Sequence, residues 1–154
     1  MADSAGDGGA VAPSSPRTIQ PEDDIYRRII PDWVVNDERA PGLKRLSSAV
    51  FRPLKDSPCS GYVAAECTYQ DVLGPACPMC GVGAIAVKTL QDHQYAIRRD
   101  VNPGEHASHV HLIEPPGLSK SRKRDLWIEL AKSTRWVFGE TKWGSPRDSG
   151  LAGR

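Results

Sequence analysis

Several things are missing from this 154-residue chain, and each absence removes a class of explanation. No apolar run approaches eighteen residues, so no helical membrane span is encoded. The first residues, Met-Ala-Asp-Ser-Ala-Gly-Asp-Gly-Gly, hold neither a basic segment nor an apolar one, so no secretory signal is legible there and a cytoplasmic location is expected. The net charge is only +1, which by itself points to neither nucleic acid nor a membrane surface as partner. No phosphate-cradling Gly-x-x-x-x-Gly-Lys, dinucleotide Gly-x-Gly-x-x-Gly, Gly-x-Ser-x-Gly elbow or His-Glu-x-x-His helix occurs. No internal repeat is present.

What is there is unevenly placed. Residues 1–24 carry five acids against Arg17, and residues 118–147 carry eight bases against three acids. Rich in Ala, Gly, Ser, Asp and Pro and without apolar periodicity, residues 1–24 are expected to form a disordered acidic tail. Residues 25–138 are expected to form one domain, with 139–154 a flexible end. Within the domain, Asp24–Ile30, Gly83–Leu90, Gln94–Arg99, His109–Ile113 and Arg135–Phe138 read as strands, the second and third as hairpin partners. Thr68, with Asp71 three residues on, predicts a capped helical turn over Tyr69–Leu73. The best helix is Arg122–Lys132, capped by Ser119 or Ser121, with Leu126, Trp127, Leu130 and Ala131 on one face. The order predicts an α+β fold: a small, mainly antiparallel sheet with one C-terminal helix packed on it.

Chemistry is concentrated in sulfur and imidazole. All four cysteines (Cys59, Cys67, Cys77, Cys80) fall in one stretch, and three of the four histidines follow as His106, His109 and His111. Cys77-Pro78-Met79-Cys80-Gly81 has the form of half a zinc knuckle, since two thiolates three residues apart in a turn can reach one ion. Its remaining ligands would come from Cys59, Cys67, His93, His106, His109 or His111. The pair also reads as two reduced thiols in a loop, or as a redox dithiol if it opened a helix after a strand. In a cytosolic chain, four cysteines argue for thiols or a metal rather than structural disulfides. His109 and His111 stand two apart on a strand, so their rings share a face and can chelate. Arg27, Arg28, Ser47, Ser48 and His106 are the candidate contacts for a phosphorylated ligand. Ser119–Arg124 is a basic run at a helix start that can touch phosphates, the weakest of these signals and the only one toward nucleic acid.

Two resemblances bear on function. An early arginine followed by Ser-Ser-x-x-Phe resembles the nicotinamide-dependent ADP-ribosyltransferases, and that likeness would nominate Arg27, Ser48 and either Glu66 or Glu114. The segments Ile25–Pro31, Ser47–Phe51, Glu105–Val110 and Leu130–Val137 together resemble a group of small bacterial proteins with no assigned activity. That resemblance covers about residues 25–138 and implies a compact stand-alone domain with Arg27, Ser47, Ser48 and His106 as matching polar positions. It supplies no reaction, and the cysteines lie outside it. The expected function is therefore a small bacterial binding domain for a protein or a phosphorylated ligand. The alternatives are a zinc-stabilised module on Cys77 and Cys80, and an enzyme, either transferase-like or a metal-dependent hydrolase using His109 and His111.

Overall fold

A computed structural model describes residues 17–144 apart from positions 56, 76 and 101. Strands β1 (Asp24–Ile29), β2 (Val34–Asn36), β3 (Lys44–Leu46), β4 (Cys59–Val63), β5 (Gly81–Ala86), β6 (Ala96–Arg99), β7 (His109–Ile113) and β8 (Arg135–Phe138) alternate with three helices, α1 (Tyr69–Leu73), α2 (Val87–Asp92) and α3 (Lys120–Lys132). Six strands form one sheet in the order β6-β7-β4-β1-β5-β8, every neighbouring pair antiparallel, while β2 and β3 make a separate hairpin. This is the α+β architecture expected, with α3 the one long helix. No described helix is long and apolar enough to cross a membrane.

The sheet has one sealed face and one open face, and strand alternation assigns residues to them. Ile25 and Ile29 of β1, Cys59 and Val63 of β4, and Val110 and Leu112 of β7 point to the sealed side and are buried. There they meet Val50 and Phe51 of a 3-10 turn, Val87 and Leu90 of α2, and Leu126, Leu130 and Ala131 of α3. Gly61 of β4 also faces this side; a Cβ there would lie on Ile25 Cγ2 and 2.9 Å from the carbonyl of Tyr26. The missing side chain is what lets β1 and its covering layer close on β4.

α3 forms as its sequence dictates. Ser119 Oγ accepts from the amide of Arg122 at 3.3 Å, satisfying one of the helix's orphan donors, and the buried positions follow the helical stripe. Thr68 and Asp71 make the reciprocal cap at the start of α1.

Three expectations need correcting. Residues 87–90 are β-prone by composition yet form α2, because Val87 and Leu90, one helical turn apart, both bury in the core. The helix has no side-chain cap. Instead, the carbonyls of Asp23 and Pro21 accept from its first amides, Val87 at 2.9 Å and Lys88 at 3.1 Å. Residues 17–23 are thus tied to the domain, and Arg99 also donates to the Arg17 carbonyl at 2.8 Å. The tail expected at 1–16 lies outside the described residues. Second, β6 does not pair back on β5. It runs along β7 at the other edge of the sheet, because α2 carries the chain across. Third, the chain beyond 138 does not fray at once: Trp143 is buried in the core and donates to the Thr134 carbonyl at 3.0 Å. Residues 145–154 are outside the described set.

Candidate functional site

The open face is built from the alternate residues of the same strands. Register places Tyr26 of β1 beside Tyr62 of β4, Tyr62 beside His109 of β7, and Asp100, just past β6, beside His109. The next row runs Ser60, His111 and Arg98, and Arg28, opposite Val82, shares their face. Helix α1 packs on the β1–β5 end, where Val72 of the helix and the open-face residues Val82 and Ala84 are all buried. Arg28 donates from Nε to the Val72 carbonyl at 2.8 Å and so ties α1 down.

At the uncovered end lie two imidazoles and a carboxylate. His109 Nδ1 is 2.8 Å from Asp100 Oδ2, and His111 Nε2 is 3.4 Å from the same oxygen. A set of donor atoms from Asp100, His109 and His111 lies within 4.8 Å of one another, and among the described residues no other group of three His, Cys, Asp or Glu does so. A tetrahedral ion with bonds of about 2.0–2.1 Å has edges of about 3.3 Å between its ligands. The His111–Asp100 separation of 3.4 Å is close to that value, while His109 Nδ1 and Asp100 Oδ2, at 2.8 Å, share a hydrogen bond that an ion would replace. Nitrogen and carboxylate donors in this ratio suit a divalent transition ion, zinc among them.

The surroundings hold these groups in place. The Asn102 amide donates to Asp100 Oδ1 at 3.0 Å. That hydrogen bond, helped by the smaller effect of the His109 contact, keeps the Asp100 carboxyl below the ordinary aspartate range against an opposing push from burial. Glu105, on the turn that folds over β7, places Oε1 at 4.0 Å from His109 Nε2. If Nδ1 binds an ion, the Nε2–H faces this carboxylate, the outer-shell arrangement that fixes the tautomer of a metal-bound histidine. Tyr62 meets the His109 ring edge-on at 5.0 Å, and burial pushes its phenol up. His109 is buried while about a third of His111 is exposed, which leaves the site open on one side.

The other sequence candidates divide between the two faces. His106 is exposed on the open side. Its Nδ1 accepts from the Ser108 amide at 3.2 Å, so Nε2 bears the proton and points to Asp71 Oδ2 at 3.7 Å. Arg28 shares that face. Arg27 does not. It is buried on the sealed side, donating to the carbonyls of Ser60, at 2.5 Å, and Val50, between the rings of Phe51 and Trp33. Ser47 and Ser48 go with it: Ser47 Oγ caps the 3-10 turn by accepting from the Ala49 amide at 3.1 Å. The five residues expected to converge on one ligand therefore do not.

Ser47 and Ser48 line a groove between the β2–β3 hairpin and α3, in which Arg45 pairs with Glu38, Lys132 with Glu129 and Lys44 donates to Asn36 Oδ1. The residues that the transferase likeness nominates are scattered as well. Glu66 pairs with Arg99, and Glu114 accepts from Trp127 Nε1. Cys77 and Cys80 are disulfide-bonded to each other, so they are not two thiolates awaiting an ion, contrary to the expectation of thiols or a metal. They also sit by β5, roughly 14 Å or three strand spacings across the sheet from β7. Sequence reasoning missed Asp100, whose only signal was its place nine residues before His109 across a turn.

No protein-family model, curated protein or solved structure matches the chain.

Proposed function

We propose that the protein is a metal-dependent binding domain whose open sheet face takes a phosphorylated ligand. The observation that carries this reading is the meeting of one carboxylate and two imidazoles, from two neighbouring strands, within 4.8 Å. Asp100, His109 and His111 hold a divalent ion, and three protein donors leave a coordination position for an oxygen of the ligand, as in catalytic rather than structural zinc sites. Arg98 stands beside His111, and Arg28 lies on the same face of the sheet. Neither pairs with a carboxylate among the described residues, so both remain available to an oxyanion. Hydrolysis of the bound ester is the second reading, favoured by that open position.

The test is a titration of metal-stripped protein with zinc, and with cobalt for its visible spectrum. One equivalent is expected to bind. His109→Ala and His111→Ala should each weaken binding at least a hundredfold with unchanged circular dichroism. Zinc-loaded protein should then bind inorganic phosphate, and Arg98→Gln should weaken that step alone. Equal zinc binding by the wild type and both histidine variants would sink the reading.

A further inference from the structure

The Cys77–Cys80 pair lies outside the metal site, and its setting says what it is for. The two residues are the ends of a β-turn, with the Cys80 amide donating to the Cys77 carbonyl at 3.2 Å and Pro78 at the second turn position. Their Cα atoms are 5.4 Å apart. The bond closes a loop of four residues, and so short a loop removes little entropy from the unfolded chain; a crosslink placed for stability would span more. The two sulfurs are also unequally reachable. Cys80 is 2% exposed, Cys77 is half-buried, and the intervening Met79 is 65% exposed, so the turn faces solvent with Cys77 on its outer side. The other two cysteines are unlike them. Cys59 is buried with Sγ on the Phe51 carbonyl, Cys67 directs Sγ to the Val63 carbonyl, and burial pushes both thiols up.

We propose that Cys77–Cys80 is a reversible redox site that exchanges with a thiol reductant at Cys77. The external thiolate attacks Cys77 Sγ, the Cys77–Cys80 bond breaks, and Cys80 leaves as a thiolate that takes up a proton. A second external thiolate then attacks the external sulfur of the mixed disulfide and releases Cys77. In sum, the protein disulfide and two thiols become a protein dithiol and one external disulfide. The turn hydrogen bond and the fixed φ of Pro78 keep the two thiols adjacent after opening, so once an external disulfide has formed a mixed disulfide with one sulfur and released a thiol, the neighbouring thiolate displaces the second external thiol and closes the bond within the turn. The motif precedes strand β5 rather than a helix, so no helix dipole activates Cys77 as an attacking thiol. The site responds to the redox state of its surroundings; it does not drive oxidation of other proteins.

Glutathione is the probe. The full chain is equilibrated in reduced and oxidised glutathione, quenched with an alkylating agent and mapped by peptide mass. Cys77 and Cys80 are expected to become labelled together under reducing ratios, while Cys59 and Cys67 stay unlabelled until the protein is denatured. With oxidised glutathione, Cys80→Ser should form a mixed disulfide on Cys77 at least tenfold faster than Cys77→Ser forms one on Cys80. A pair that stays closed in excess reduced glutathione would be a structural crosslink and would overturn the proposal. So would equal rates for the two single variants, or protein purified without oxidation that holds zinc on these two sulfurs.

Discussion

The two faces of the sheet treat charge in opposite ways, and adjacent residues of β1 show it. Arg27 points into the sealed face. No carboxylate lies within 4.0 Å of it among the described residues, and its donors go to two backbone carbonyls and two aromatic rings. Its Nε has no partner, and burial pushes the guanidinium below the usual arginine value. Arg28 points to the open face, half-buried, where its Nε secures α1 and no carboxylate pairs with it among the described residues. The Arg-Arg dipeptide thus splits into a scaffold residue and a site residue, because consecutive strand residues face opposite sides. The sealed face spends polar groups on holding its covering layer; the open face leaves them unspent. A cluster such as Asp100–His109–His111 is tolerable only on the second kind of surface.

The largest expected effect tests that contrast directly. Arg27→Ala removes the donors to Val50 and Ser60 and opens a cavity between Phe51 and Trp33. Two orphaned carbonyls and lost packing predict a destabilisation of about 3–5 kcal/mol. Arg28→Ala, on the open face, should cost about 1 kcal/mol or less. Urea unfolding of both variants measures the difference. Equal costs would break the comparison. Arg27→Met, which keeps most of the volume, should recover part of the loss if packing contributes to it.

Features set by short-range physics were legible in the sequence. The alternation of β1, the Ser119 cap and apolar stripe of α3, the Thr68–Asp71 box and the shared face of His109 and His111 each depend on residues within a few positions. Features set by pairing partners were not. Asp100 joins the histidines only because β6 runs along β7, and the sequence favoured a β5–β6 hairpin instead. Arg27 and Arg28 look alike in the sequence; their fates differ because only one side of β1 is covered by the 3-10 turn that follows Ser47. Trp143 sits in a Gly- and Ser-rich segment that reads as a loose end, yet its ring closes the core. Even α2 carried a signal that composition hid, since Val87 and Leu90 are spaced for one helical turn. In the candidate site the imidazoles are legible in the sequence, and the carboxylates, Asp100 just past β6 and Glu105 in the bend before β7, are not.

A smaller effect should sharpen the account of the open face. Glu105 touches no ion in the proposed arrangement; it faces the outer nitrogen of His109 at 4.0 Å. Glu105→Gln is therefore expected to weaken zinc binding about tenfold, within the range usual for partners of ligating histidines, and to leave the unfolding midpoint of the metal-free protein unchanged. Zinc titration followed by cobalt spectroscopy checks both the affinity and the ligand field. A loss as large as that of His109→Ala would make Glu105 a direct ligand, and no change at all would detach it from the site.

The smallest effect concerns the rim of the sealed face. Arg99 stands opposite Val110 in the register, on the same side as Arg27 but at the edge, and there it has a carboxylate. Its two terminal nitrogens reach Glu66 at 2.5 and 2.7 Å, with Arg17 at 3.4 Å from the same group. The hydrogen bonds from Arg99 hold the Glu66 carboxyl below the ordinary glutamate value, against a smaller opposing push from burial. A carboxyl lowered in the folded state adds stability that is complete above the unfolded value, about 4.3, and is lost as pH falls through the folded value. Glu66→Gln should therefore cost about 1 kcal/mol at pH 7, because the pair is bidentate but only partly shielded from water. The gap from wild type should narrow below about pH 5 and close at lower pH. The cost of Arg27→Ala should not change over that window, since carbonyl oxygens do not titrate. Urea unfolding at a series of pH values separates the two arginines. A Glu66→Gln cost that persists into acid would mean that packing, rather than charge, joins the β6 edge to the chain around Glu66.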